Sequence, residues 1–125
     1  MCQMLLSIYP EHVTNICRGT KRFEFRKVRC KANVTKMIIY ATSPIMQVVA
    51  EAEIIDVIED EPAIVWETTS KYAGISKKCF DNYFEGKNKA IAYQIGEVIQ
   101  YSVPRDLLDY GIHNAPQSFV YINEP

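Results

Sequence analysis

The sequence contains no apolar run of the length that crosses a membrane. A spanning helix needs about 20 consecutive apolar residues. The opening stretch 1–8 is apolar but short, has no basic flank and is broken by Pro10, so it does not resemble a signal peptide. We therefore expect a cytoplasmic protein with no membrane segment.

The sequence also lacks the residue spacing of a metal site. It has four cysteines, no two of them spaced as CxxC, and only His12 and His113 to complete a ligand set. Zinc sites need four such ligands in characteristic clusters. We predict no metal and no cofactor, reduced thiols, and no catalytic role for either histidine.

A third absence is an excess of charge of one sign. Fourteen basic and fifteen acidic residues give a net charge of −1, which excludes the strong positive field that holds duplex DNA without sequence preference. The two signs are nevertheless separated along the chain. The basic cluster is Arg18, Lys21, Arg22, Arg26, Lys27, Arg29, Lys31 and Lys36, and the acidic segment 51–67 holds Glu51, Glu53, Asp56, Glu59, Asp60, Glu61 and Glu67.

What remains is an ordinary globular composition. The 125 residues are 48% hydrophobic and 23% charged, which fits one domain, residues 1–125, with its own core. The patterning predicts strands at 3–8, 22–28, 37–42, 46–58, 89–100 and 118–123, helices at 10–18, 61–73 and 76–85, and a polar connection at 101–117. Strands and helices do not alternate regularly, so a doubly wound sheet is excluded. We expect an α+β fold: a small mixed barrel of five to six strands, with an N-terminal helix and a central helical pair packed over it.

The segment Gly19-Thr20-Lys21-Arg22-Phe23-Glu24-Phe25-Arg26 combines a turn with an alternating strand. Glu24 and Arg26 are two residues apart, so both point to one face of the strand and the phenylalanines to the other. Spacing alone favours a solvated ion pair on a half-buried strand. With Lys21 beside them, these groups suit a site for an anionic or polar ligand.

This segment resembles the GxKxxExR signature of the ASCH domain family, within the PUA-like superfamily. Three further segments resemble the family in the same order, so the likeness covers residues 4 to 122. They are Leu6-Ser7-Ile8-x-Pro10, Tyr40-Ala41-Thr42-Ser43-Pro44 and Ala115-Pro116-Gln117-Ser118-Phe119-x-Tyr121.

The resemblance implies a PUA-like β-barrel and a cleft between the first helix, the barrel mouth and the loop after Tyr40. It implies single-stranded RNA or a nucleotide-like molecule as the partner. The expected ligand-binding residues are Lys21, Glu24, Arg26, Thr42, Ser43, Gln117 and Ser118. Tyr40 and Trp66 are expected to pack in the core.

Each charged residue of the motif has two chemical interpretations. Lys21 can bind a phosphate or, once desolvated, act as a catalytic amine. Glu24 can accept a hydrogen bond from a base or move a proton. Arg26 can bind a phosphate bidentately or hold Glu24 in place.

Three functions therefore remain open. The favoured one is an RNA- or nucleotide-binding module. The second is a small hydrolase, a ribonuclease or an N4-acetylcytidine amidohydrolase-like enzyme, with Lys21 and Glu24 catalytic. The resembling amidohydrolases have threonine where this chain has Glu24, and a glutamate in the inter-helix linker, whereas residues 72–76 here contain no carboxylate. The third is a regulatory protein–protein module that uses the acidic segment.

Overall fold

The fold is built on one long mixed β-sheet. A computed structural model describes residues 2–31 and 33–123. Its elements, in chain order, are β1 (Cys2–Ile8), α1 (Pro10–Arg18), β2 (Phe23–Arg26), β3 (Lys36–Ala41), β4 (Gln47–Asp60), α2 (Pro62–Thr69), a 3-10 turn (Ser70–Tyr72), α3 (Lys77–Tyr83), β5 (Ala90–Arg105), a second 3-10 turn (Leu107–Tyr110) and β6 (Phe119–Asn123).

The six strands follow the order β2-β5-β4-β3-β1-β6, with β1 and β3 parallel and the other pairs antiparallel. The sheet curls into a half-barrel, and β2 and β6 are its outer strands. The register of β4 shifts three times against β5, which is how a long strand bends at a barrel corner. The predicted α+β class, the mixed barrel and the helical pair are confirmed.

Local signals determine the helix ends. Pro10 occupies the first turn of α1, and Gly19 ends the helix in the left-handed region with φ 81°. Ser76 caps α3 by accepting a hydrogen bond from the Cys79 amide at 3.1 Å. The predicted helix 61–73 is α2 followed by a 3-10 turn, because the α-helical bonding ends at Thr69.

One strand runs further than the sequence indicates. β5 continues to Arg105, so the expected connection at 101–117 was placed too early. The reason is tertiary: Arg105 pairs with Val48 on β4, and its guanidinium lies 4.0 Å from the ring of Tyr101. These contacts keep the chain extended past Pro104.

Three apolar clusters hold the helices and loops on the sheet. The largest lies inside the half-barrel and receives Val13 and Ile16 of α1. A second joins α2 and α3 to β2 and β5 around Phe80, with Trp66 packed on the Phe80 ring at 5.1 Å. A third contains Tyr40, which is buried as predicted. No helix in the described part of the chain is long and apolar enough to cross a membrane.

Candidate functional site

Lys21 is a buried cation between α1 and the linker that joins the central helices. After Gly19 ends α1, the Lys21 amide donates to the Asn15 carbonyl at 3.1 Å and turns the chain inward. The side chain is 2% exposed, and its Nζ donates to the Ala73 carbonyl at 2.7 Å and lies 5.0 Å from the centre of the Phe25 ring. Lys21 lies beside the end of α1, as the sequence indicates, and its side chain bonds to the residue that follows the 3-10 turn after α2.

The linker is shaped around the Lys21 side chain. Gly74 has φ +70°, and a Cβ built on it would lie 2.5 Å from both Cβ and Cγ of Lys21. Glycine is therefore required there for its conformation and for the close approach. This linker gives Lys21 a backbone carbonyl but no carboxylate.

Burial lowers the pKa of Lys21 from its ordinary value of 10.5. The neighbouring charge of Glu24 opposes this change, and Arg26 adds to it. Desolvation disfavours the charged ammonium. Lys21 is therefore a desolvated cation, with two Nζ protons that donate to no described residue.

Glu24 and Arg26 form a buried ion pair. Nε and Nη2 of Arg26 donate to Glu24 Oε2 at 3.0 and 2.8 Å, and the two side chains are only 10% and 8% exposed. The expectation of a solvated pair was wrong. The predicted split of faces is correct, since Phe23 and Phe25 pack in the cluster under α2 and α3.

Arg26 also closes the opening between the outer strands. Its Nη2 donates to the Ser7 carbonyl at 2.8 Å, and its Nη1 lies 3.4 and 3.5 Å from the carbonyl and Oγ of Ser118. Ser7 Oγ donates to the Pro116 carbonyl at 2.6 Å. These bonds connect β2 to β1 and to the segment before β6, where the sheet has no ladder. Ser118 is thereby brought to the ion pair.

Both hydrogen bonds to Glu24 fall on the same oxygen. Within the described residues, Oε1 receives none. A carboxylate oxygen has lone pairs for two donors. Glu24 is thus held rigidly while half of its accepting capacity is unused.

His12 lies near these charges, although no sequence motif indicated a histidine at the site. Its pKa is lowered from 6.5, first by burial and then by Lys21 and Arg26, while Glu24 and Glu11 oppose the change. Its Nδ1 is buried without a hydrogen-bond partner among the described residues. His12 stands four residues before the buried Ile16, so helical periodicity indicated that it faces the sheet.

Tyr83 and Lys27 stand beside the ion pair. Burial raises the pKa of Tyr83, and the charges of Arg26 and Glu24 also act on it. Its ring is 38% exposed, with Lys27 Nζ 4.5 Å from the ring centre. The site therefore has a partly exposed aromatic ring with a cation over it.

Three predicted residues are not joined to this cluster. The Thr42 amide donates to the Ile8 carbonyl at 3.0 Å, which keeps its loop beside the start of α1. Ser43 and Gln117 are exposed. In residues 2–31 and 33–123, none of the three bonds to Lys21, Glu24 or Arg26, and their role in binding stays a prediction.

The acidic segment is partly neutralised by the basic cluster. Arg29 pairs with Glu59 at 3.0 Å, and Lys36 with Glu51 at 2.9 Å. No group of three His, Cys, Asp or Glu side chains in the described chain could hold a metal ion. The site is therefore one of hydrogen-bonding groups, cations and one exposed ring.

This chain matches only part of each of three curated relatives, all of which are longer proteins. The chain is 34% identical over 102 residues to large ribosomal subunit protein uL22 of Ureaplasma parvum, covering 82% of this chain and 33% of that protein. It is 27% identical to ATP synthase subunit alpha of the same organism, covering 95% of this chain and 15% of that one. It is 29% identical to an ASCH domain-containing ribonuclease of Zymomonas mobilis, covering 73% and 62%. The chain thus spans between about a seventh and three fifths of these relatives.

Solved structures agree on the fold. The crystal structure of ASCH from Zymomonas mobilis and that of a serine-to-alanine variant both superpose with a TM-score of 0.88 at 24% sequence identity. They cover 98% of this chain, and 88% and 89% of theirs. The family model of the ASCH domain matches residues 6–101. The resemblance seen in the motif is confirmed, and the chain belongs to the ASCH domain family.

Proposed function

We propose that this domain binds RNA, recognising a single-stranded segment or a modified nucleotide in the cleft lined by Lys21, Glu24 and Arg26. The observation that carries the proposal is the unused Oε1 of a buried, immobilised Glu24. Amino and imino groups on base edges are donors that match such an acceptor. Because Arg26 already fixes the carboxylate in the free protein, binding a ligand costs little side-chain entropy at Glu24.

The groups around Glu24 suit the other parts of a nucleotide. Tyr83 is partly exposed, and the part of its ring that Lys27 does not cover can contact a base. Lys27 can contact a phosphate as a point charge. Ser118 Oγ offers a further polar contact. The chain carries a net charge of −1, which favours a local contact with a short single strand over general duplex binding.

The relatives' names support an RNA ligand only in coarse terms. One is a ribosomal protein and another a ribonuclease. The match to an ATP synthase subunit covers 15% of that protein, so the shared segment is a module within differently named proteins. The activity of each whole relative is therefore a weaker guide than the cleft.

The proposal is tested with Glu24→Gln. The substitution keeps the side-chain shape and an oxygen for Arg26, but it puts an amide donor where Oε1 accepts. Binding of short single-stranded RNAs and modified nucleosides is measured by calorimetry, with circular dichroism to verify folding. We expect at least tenfold weaker binding, whereas Glu97→Gln, an exposed carboxylate outside the cleft, leaves the affinity unchanged.

The proposal fails if Glu24→Gln binds every ligand of the panel as the wild type does. It fails equally if the wild type binds none of them. Product formation is recorded in the same reactions.

RNA cleavage is a second candidate because of His12. Its Nδ1 is buried without a hydrogen-bond partner among the described residues, and its pKa is lowered first by burial and then by the charge of Lys21. A histidine placed beside such a cation is a candidate for moving a proton. Cleavage would appear as shortened RNA that is lost in His12→Gln. The amidohydrolase alternative is disfavoured, since Gly74 packs on Lys21 and the linker supplies no carboxylate.

A further inference from the structure

A groove of about 450 Å³ lies between the last turn of α1 and the place where β4 and β5 shift register. Lys21 also lines this groove, so the same residue belongs to both the groove and the cleft. The groove has a charged side and an apolar side. Neither was indicated by the sequence motif.

The charged side consists of Arg18 and Arg22. Arg22 is held in place, because its Nε donates to the Gly19 carbonyl at 3.3 Å and its guanidinium lies 4.5 Å from the ring of Tyr72. In the described chain neither arginine forms an ion pair, and no acidic side chain lines the groove. Two cations therefore face the groove without an ion-pair partner among the described residues, and the Glu53 carboxylate beside Gly96 accepts from the Glu97 amide at 3.1 Å.

The C-terminal end of a helix ordinarily repels anions. Here the amides of Gly19, Thr20 and Lys21 donate back to the carbonyls of Ile16 and Asn15 at 3.0 to 3.1 Å. The carbonyls of Asn15 and Ile16 are thereby occupied. The two arginines add positive charge at this helix end, which favours an anion there.

The opposite side is apolar. It is formed by Ile95, which is buried, and by Val98 and Ile55, the last of which is 57% exposed. A Cβ on Gly96 would lie 2.6 Å from Ile55 Cγ2, so the absence of a side chain there lets Ile55 lie across β5. This apolar surface can pack against one face of a base.

Gln94 supplies the polar group between the two sides. Its side chain is half-buried and lines the groove, and its amide has no hydrogen-bond partner in the described part of the chain. A primary amide offers both donors and an acceptor. It can therefore bond to the edge of any base placed on the apolar side.

We propose that this groove is a second subsite for one phosphate-bearing nucleotide of the strand that the cleft binds. The phosphate lies at Arg18 and Arg22, the base packs on Ile55, and Gln94 bonds to its edge. This inference rests on the proposed function, since it needs the cleft to hold a neighbouring nucleotide. Its consequence is that the ligand is an oligonucleotide and not a single nucleoside.

The test is a length series on the whole chain. Binding of a nucleoside 5′-monophosphate and of mixed-sequence single strands of two to six nucleotides is measured at several salt concentrations. The variants are Arg18→Gln/Arg22→Gln and, independently, Ile55→Glu, which places a carboxylate on an exposed position. The matched control is Lys78→Gln/Lys87→Gln, which removes two exposed charges that line neither site.

For the wild type we expect affinity to rise at least tenfold as the strand lengthens. Both groove variants lose that rise but bind the monophosphate as before. The slope of log affinity against log salt falls by about 0.7 in the arginine variant, since one phosphate contact to a single strand is lost. The control keeps both the rise and the slope.

If the wild type binds strands and the groove variants bind them equally well, the inference is overturned and the proposed function stands. Equal losses in the groove and control variants overturn it too, because the effect is then one of net charge. If no strand binds the wild type, the proposed function fails and the inference falls with it.

Discussion

The two buried cations of the motif are held in opposite ways. Arg26 donates to Glu24 and contacts the backbone of two distant segments, so nearly all of its donors are occupied. Lys21 donates to one carbonyl and lies over a ring, with its charge opposed by burial. Within the same motif, one cation serves chiefly to fix the half-barrel, whereas the other has a single hydrogen-bond partner among the described residues.

The comparison predicts its largest effect for Arg26→Met. Removing the guanidinium leaves a buried carboxylate without a partner and opens the contact between β2 and Ser118. Breaking a buried ion pair in this way costs about 3 to 5 kcal/mol. The measurement is the free energy of unfolding in urea.

The control for this prediction is Arg29→Met. Arg29 also pairs with a glutamate, but its side chain is 49% exposed, so little change is expected. If the two variants lose the same free energy of unfolding, the buried Arg26–Glu24 pair contributes no more to stability than the exposed Arg29–Glu59 pair.

A smaller loss is expected for Gly74→Ala. The new Cβ meets Lys21 at 2.5 Å, and overpacking of this kind costs about 1 to 3 kcal/mol. Gly86→Ala is the matched control, since Gly86 has a similar φ of +76° and nothing within 4 Å of the added atom. The difference in unfolding free energy between the two variants isolates the contact with Lys21.

The contact itself is tested by the double variant Gly74→Ala/Lys21→Ala. Shortening Lys21 removes the Cγ and Cδ that the new methyl group meets, so part of the loss is recovered. Full additivity of the two substitutions would contradict the packing account.

His12 gives a smaller effect that depends on pH. Because its folded pKa is lowered from 6.5, the unfolded chain binds more protons between the folded value and 6.5, and stability falls as pH falls through that window. Urea unfolding should show a lower free energy of unfolding at about pH 5.5 than at about pH 7.5. This difference should be smaller in His12→Gln. The exposed His113 provides the control His113→Gln. If wild type and His12→Gln show the same pH dependence, the claim that burial lowers the pKa of His12 is contradicted.

The sequence predicted the parts of the site that follow from local rules. Pro10 and Gly19 mark the ends of α1, and the alternation in β2 separates Glu24 from Phe25. Each of these depends on neighbours within a few residues, where capping and side-chain direction decide the outcome.

What the sequence could not predict depends on distant partners. The carbonyl that binds Lys21 is 52 residues away, and Ser118 is 92 residues from Arg26. Whether an ion pair is solvated or buried is decided by such segments, and the spacing of Glu24 and Arg26 is the same in both cases. The length of β5 is another example. Pro104 indicates that the strand has already ended, but the pairing of Arg105 with Val48 keeps the chain extended.

The smallest change in stability, and the most direct test, belongs to Lys21→Met. Loss of the bond to Ala73 is offset by removal of a desolvated charge, so the unfolding free energy should stay within about 1 kcal/mol of wild type. The measurement is the affinity for short single-stranded RNA, taken with that free energy on the same sample. We predict at least tenfold weaker binding at preserved stability. Wild-type affinity, or a loss of binding that only follows a loss of stability, would contradict the account.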